Sequence, residues 1–193
     1  MERLPTDILH FIFELAGNDS VVDKSMLQVR VGLSGDIALS RVYRIAQVFG
    51  DFIYTYITSL VYDTCLITNI SNMINLKKVR FDYMFNTVIP VDFFPDSVRY
   101  VKFGLTYNQP ILPGALNQVK RVKFGVGFNQ PISKGVLPPG TEEVNFDFYY
   151  DQPLTTIMFP PSTKIVTVCD YIPKLQLPGI KCIDYYDDIC DTD

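Results

Sequence analysis

Between Val98 and Ile132 the chain states one phrase twice. Val98-Arg-Tyr-Val101-Lys-Phe103-Gly104-Leu-Thr-Tyr107-Asn108-Gln109-Pro110-Ile111 is followed by Val119-Lys-Arg-Val122-Lys-Phe124-Gly125-Val-Gly-Phe128-Asn129-Gln130-Pro131-Ile132. The phrase extends back to Leu76-Lys-Lys-Val79-Arg-Phe81-Asp82 with Phe85-Asn86, and forward to Thr141-Glu-Glu-Val144-Asn-Phe146-Asp147 with Tyr150-Asp151-Gln152-Pro153. The central valines, 79, 101, 122 and 144, lie 22, 21 and 22 residues apart. A period of that length is the signature of a solenoid, in which each unit is too small to bury its own apolar face and does so against its neighbours.

Within one unit, Val-x-Phe alternation with a further apolar residue three positions earlier predicts a short strand with its apolar side chains turned inward. The Asn-Gln-Pro segment turns the chain, because Asn bonds nearby backbone and Pro can continue neither helix nor strand. A second turn is expected at Pro95, Pro113, Pro138 or Pro160. Stacked coils would align their strands at about 4.8 Å per step. The Asn86, Asn108, Asn129, Asp151 column then reads as a structural ladder for turn backbone. The Asp63, Asp82, Gly104, Gly125, Asp147 column reads as a site tolerant of turn geometry rather than as metal ligands.

Phe128-Asn129-Gln130-Pro131-Ile132 and, with Tyr for Phe, Tyr107 to Ile111 resemble the FNIP repeat family, named for its Phe-Asn-x-Pro core and related in architecture to leucine-rich repeats. Phe85 to Ile89 lacks the Gln and Pro, and Tyr150 to Leu154 replaces Asn by Asp151. The resemblance covers about residues 57–185. Its best repeats lie at 76–154, and worn units at Ile57-x-x-Leu60-x-Tyr62-Asp63, Thr163-x-x-Val166-x-Val168 and Ile180-x-x-Ile183-x-Tyr185 are expected to act as capping coils (57–75 and 155–185) ahead of an acidic tail.

Ahead of the repeats, Leu4 to Ala16 predicts a helix begun at Pro5 and stopped by Gly17, greasy on more than one face. A second helix is expected within 19–31. A third follows Gly35-Asp36, with Leu39, Val42, Ala46, Phe49 and Ile53 at steps of three and four. Leu4-Pro5-Thr6-Asp7-Ile8-Leu9 with Ile12-Phe13 resembles the opening of an F-box, and the stretch from Leu39 to Phe49 is similar to that module's closing helix, although the chain has no Trp. The resemblance implies an adaptor-binding surface of Leu4, Pro5, Ile8, Leu9, Ile12 and Phe13 for a Skp-type adaptor of cullin-RING ubiquitin ligases. The alternative is a helical cap over the open edge of the first coil. The expected fold class is therefore α+β: an F-box-like helical segment over 1–56, then a parallel β-solenoid of leucine-rich-repeat-like coils over 57–193.

The residue between each Val and Phe should point away from the core, and that column reads Val61, Arg80, Lys102, Lys123, Asn145, Thr167, Asp184. Three cations are thus expected side by side, enlarged by Arg99, Lys120 and Arg121, at a spacing where like charges repel. This makes Arg80, Lys102, Lys123, Arg99 and Arg121 the candidate partner-binding residues, facing an unidentified protein target. No catalytic constellation, cofactor motif or metal spacing is present: His10 is the one histidine, and Cys65, Cys169, Cys182 and Cys190 form no C-x-x-C pair. With a net charge of −4 the chain as a whole gives no reason to expect nucleic acid. No apolar run of membrane length occurs. Unpaired thiols and the absence of a secretory leader pattern lead to an expectation of the cytosol or nucleus. Asp184, Asp187, Asp188, Asp191 and Asp193 read as a solubilising end. The function expected is a non-enzymatic adaptor, monomeric by itself: a substrate receptor of a ubiquitin ligase, or a free-standing repeat scaffold.

Overall fold

The computed structural model describes residues 37–38, 57–63, 70–168 and 179–184. They form one parallel sheet of eight strands in sequential order. The strands are β1 (Ile37–Ala38), β2 (Ser59–Tyr62), β3 (Lys78–Phe81), β4 (Tyr100–Lys102), β5 (Arg121–Lys123), β6 (Glu143–Asn145), β7 (Ile165–Val168) and β8 (Lys181–Asp184). Leu60, Val79, Val101, Val122, Val144 and Val166 stand directly opposite one another through the sheet. The repeat read from sequence is therefore the register of the fold.

Each strand is only two to four residues long because it contributes one or two inward side chains per coil, and the coil must then turn. The first turn closes by a bond from Phe85, Tyr107, Phe128 and Tyr150 N–H to the carbonyls of Asp82, Gly104, Gly125 and Asp147. The second closes on the carbonyls of Met73, Pro95, Leu116, Pro138 and Pro160. Leu116, not Pro113, fills that place in its coil. Pro113 precedes Gly114, and Gly114 and Gly135 occupy equivalent bends with φ of 86° and 87°, where a side chain would be strained.

Two aromatic columns fill the interior. Phe81, Phe103, Phe124 and Phe146 stack at centroid distances of 5.3, 5.4 and 5.2 Å with ring planes within 14° of parallel. Phe85, Tyr107, Phe128 and Tyr150 stack beside them at 6.0, 6.1 and 5.9 Å. Within a coil the two rings meet at 4.1 to 4.3 Å. Identical rings repeated at the strand spacing adopt the offset-parallel arrangement that the ring quadrupole favours. Each such ring removed from water contributes about 1.5–3 kcal/mol. At the β2 end Tyr62 breaks the pattern, meeting Phe85 edge-on at 78°.

Three expectations are corrected. The fold class is not α+β: among the described residues the architecture is a parallel β-solenoid, and its one helical element is a single 3-10 turn, Thr156–Met158. Ile37 and Ala38, which follow the Gly35-Asp36 entry expected to open a third helix, are instead a strand opposite Leu60 and Val61. The edge of β2 offers backbone groups that a strand can satisfy and a helix cannot. The other residues of the expected F-box-like segment, including Leu4, Pro5, Ile8, Leu9, Ile12 and Phe13, lie outside the described residues, as does the acidic stretch after Asp184. Finally, Cys182 and not Ile183 stands opposite Val166. The last strand is slipped by one residue from the sequence alignment, which puts Ile183 rather than Asp184 in register with Thr167.

Candidate functional site: a groove across the coils

A ladder outside the core ties the coils together. Asn86 Oδ1 accepts from Asn108 N–H at 2.9 Å and from Gln109 Nε2 at 3.2 Å. Asn108 Oδ1 accepts in the same way from Asn129 and Gln130, at 2.9 and 3.1 Å. Asn129 Oδ1 accepts from Asp151 and Gln152, at 3.1 and 3.3 Å. The Asn-Gln pair is thus a device for bonding to the next and the previous coil at once, as the ladder reading expected. It is occupied by structure, and its carbonyls are not free to serve a ligand.

The groove lies on the other side of the strands' C-terminal ends, with a cavity volume of about 480 Å³. Its floor is backbone. A Cβ on Gly104 would lie 2.0 Å from the Asp82 carbonyl oxygen, and one on Gly125 would lie 2.2 Å from that of Gly104. Glycine is required there by the close approach of successive coils, not by an unusual φ. On one side stand Arg80, Lys102 and Lys123, held in line by the pairing of β3, β4 and β5. On the other, two positions beyond each inward Phe, stand Tyr83, Leu105 and Val126. Tyr83 is 55% exposed and Leu105 43% exposed, an apolar surface in the turns that follow β3 and β4. Asp82 and Asp147 mark the two ends of the floor. Asp147 is buried and its Oδ1 accepts the Phe148 N–H at 2.7 Å, whereas Asp82 is exposed.

The groove brings together three of the five expected partner-binding residues. Arg99 sits before β4, its guanidinium donating to the carbonyls of Val98 and Asp96. Arg121 lies one column away on the same face of the sheet, with its guanidinium 5.5 Å over the Tyr100 ring. Neither lines the groove. A neighbouring column shows how the chain manages stacked cations when only stability is at stake. There Glu142 sits between Lys120, at 2.8 Å, and Lys164, at 3.7 Å, and the Lys120 hydrogen bond and charge hold its carboxyl below the usual range. In the groove Arg80, Lys102 and Lys123 follow one another in register, with Asp82 and Asp147 in the same lining. Farther along, Asn145 and Thr167 continue the same column and are buried, 3% and 2% exposed. The expectation that the column points away from the core therefore holds for Val61, Arg80, Lys102 and Lys123 and fails at Asn145 and Thr167.

The apolar wall and the glycine floor were missed by sequence reasoning. Their signal was present, since the second residue after each inward Phe reads Tyr83, Leu105, Val126, Phe148.

Comparison with known proteins agrees with this geometry. The FNIP Repeat family model matches residues 85–127, 107–149 and 128–169, in overlapping windows one coil apart. The solved structure of CroV588, described as a novel circular LRR protein structure, is similar at 27% identity with a TM-score of 0.56. That likeness covers 61% of this chain and 18% of the other, so the chain matches less than a fifth of that protein's length. No curated protein matches the chain. Over residues 85–169 the chain is similar to FNIP repeats, and its coils are leucine-rich-repeat-like, a solenoid consistent with a protein-interaction role. Among the described residues no helix is long and apolar enough to cross a membrane.

Proposed function

We propose that the protein is a non-enzymatic interaction scaffold that holds a protein target on the strand face, at the groove flanked by Arg80, Lys102 and Lys123. The observation carrying this reading is a groove across successive coils that gathers Arg80, Lys102 and Lys123 with the exposed apolar side chains of Tyr83 and Leu105. Exposed apolar side chains gain nothing from folding, so Tyr83 and Leu105 are not explained by stability alone. Charges at the rim of a binding surface chiefly set the association rate and its salt dependence. Immobilised wild-type protein should therefore retain a discrete set of proteins at low salt that a folded Arg80→Ser, Lys102→Ser, Lys123→Ser variant does not. Identical retention by the two would contradict the reading.

A role as a substrate receptor for a cullin-RING ligase is supported only by the sequence pattern at Leu4, Pro5, Ile8, Leu9, Ile12 and Phe13, outside the described residues. Co-expression with a Skp-type adaptor tests it independently of the groove.

A further inference from the structure

We infer that the paired residues that open β3, β4 and β5 form a docking surface for an acidic protein segment, a short run of aspartates or glutamates; this rests on the protein-binding reading above and adds the chemistry of the partner.

Each coil enters its strand through a doublet of side chains outside the core. Lys77 and Lys78 N–H both donate to the Thr58 carbonyl, and Arg99 and Tyr100 N–H to that of Lys77. Lys120 and Arg121 N–H donate to the Arg99 carbonyl, and Glu142 and Glu143 N–H to that of Lys120. Two consecutive residues thus stand opposite one in the preceding coil, a bulge that interrupts the inward-outward alternation. Leu76 and Val79 are buried, and Lys77 and Lys78 between them are exposed. In the same way Lys120 and Arg121 are exposed between Val119 and Val122, and Arg99 and Tyr100 are half-buried between Val98 and Val101. The doublets are in register, since Lys78, Tyr100, Arg121 and Glu143 are opposite residues of neighbouring strands.

Lys77, Lys78, Arg99 and Arg121 therefore share a patch three coils wide. Arg80 and Lys102 engage other groups of the molecule, and the patch does not depend on them. The contacts that Arg99 and Arg121 make do not cancel their charge. Arg99 donates to the carbonyls of Asp96 and Val98, and Arg121 lies over the Tyr100 ring, all neutral groups that fix where the guanidinium stands. Lys120 differs, because Glu142 holds it at 2.8 Å and takes up its charge. Alternation of sign begins there and runs on to Lys164, so the like-charged stretch ends at β5. Like charges on neighbouring strands oppose folding, and an acidic partner turns that cost into attraction. Because the chain as a whole carries a net charge of −4, such a partner is drawn to this patch and not to the molecule at large.

The extent of the patch selects protein over nucleic acid. From β3 to β5 is two strand steps, about 9.6 Å. Beyond it Glu142 and Glu143 repel a phosphate chain that continues across the coils, whereas a cluster of carboxylates on a protein stops where its sequence stops. Tyr100, the ring in the patch, is half-buried with Arg121 5.5 Å over its face, which leaves no open platform on which a base could stack. The patch adjoins the groove through β3, where Lys78 and Arg80 lie on either side of Val79.

The test is fluorescence anisotropy at low salt with the intact chain and a labelled hexaglutamate peptide. Wild type should bind it, and a Lys77→Ser, Lys78→Ser variant should bind it roughly tenfold more weakly, the effect of losing two exposed ion pairs. A Lys134→Ser, Lys181→Ser variant, which makes the same change of charge at exposed positions away from the patch, should bind like wild type. Lys77→Arg, Lys78→Arg keeps both charges and should also bind like wild type, and circular dichroism shows that each variant is folded. No binding of hexaglutamate by wild type, equal weakening in the two serine variants, or tighter binding of an oligothymidine of the same charge would each overturn the inference. If wild type captures proteins that the groove variant releases and yet ignores hexaglutamate, the scaffold function stands and only this partner class falls.

Discussion

Phe124 and Lys123 are consecutive residues, and each belongs to a column in which the coil repeat sets like beside like. In the inward column, Phe81, Phe103, Phe124 and Phe146 gain from being identical, because rings of one size at one spacing stack without voids. In the outward column, Arg80, Lys102 and Lys123 lose from it, because like charges at that spacing repel. Repetition is thus favourable or costly according to which side of the strand it falls on. Where the outward column carries only structural duty, as at Lys120, Glu142 and Lys164, the signs alternate.

The largest effect expected from this contrast is on the inward side. Phe124→Ala removes a ring in contact with Phe103, Phe128 and Phe146, and should cost about 3–5 kcal/mol in urea unfolding. A cost under about 1 kcal/mol would mean that the column is not a continuous interior. A smaller loss belongs to the ladder that keeps both columns in register. Asn108→Ala deletes an acceptor used by Asn129 N–H and Gln130 Nε2, and because the site is exposed to water the cost should be about 1.5 kcal/mol by the same measurement.

The inward column also contains a flaw that sharpens the comparison. Tyr107 stands where neighbouring coils have Phe85 and Phe128, and its hydroxyl is buried with no hydrogen-bond partner among the described residues. Tyr107→Phe should stabilise the protein by about 1 kcal/mol at neutral pH, since an unsatisfied polar atom is removed without changing the stack. Burial also holds the Tyr107 phenol above its ordinary range and pushes Tyr150 up to about 12. Both stay protonated in the fold when the unfolded chain begins to ionise near pH 10, so their contribution is complete below about pH 10 and is lost as pH rises toward 12. Unfolding midpoints at pH 8 and pH 11 should fall less for Tyr107→Phe than for wild type. An equal fall would show that this phenol does not drive alkaline loss.

How much of this was legible in the sequence follows from the same geometry. Strand register, the first aromatic column and the Asn ladder were readable because each depends on a residue repeated at a fixed step, whereas Phe85, Tyr107, Phe128 and Tyr150 were read only as part of the turn. Prediction failed where the cause was not periodic. Ile37 and Ala38 pair with β2 because an edge needed covering, which no local pattern of apolar residues reveals. The slip at Cys182 arises because that coil closes in 16 residues from Val166, too short for the alignment that served the others. The cation column was visible, but not the groove. Its floor depends on how closely one coil's backbone approaches the next, and Gly104 read in isolation is only a turn residue.

The smallest effect, and the one that completes the contrast, is that of Lys123→Ser, which should change stability by less than about 1 kcal/mol because a half-exposed cation contributes little to folding. The most direct test of the two-sided strand is therefore urea unfolding of Lys123→Ser and Phe124→Ala side by side in one buffer. A near-wild-type midpoint for the first and a loss of about 3–5 kcal/mol for the second is the predicted outcome. Comparable losses at both positions would contradict it, because neighbouring residues would then share one environment instead of facing opposite sides of the sheet.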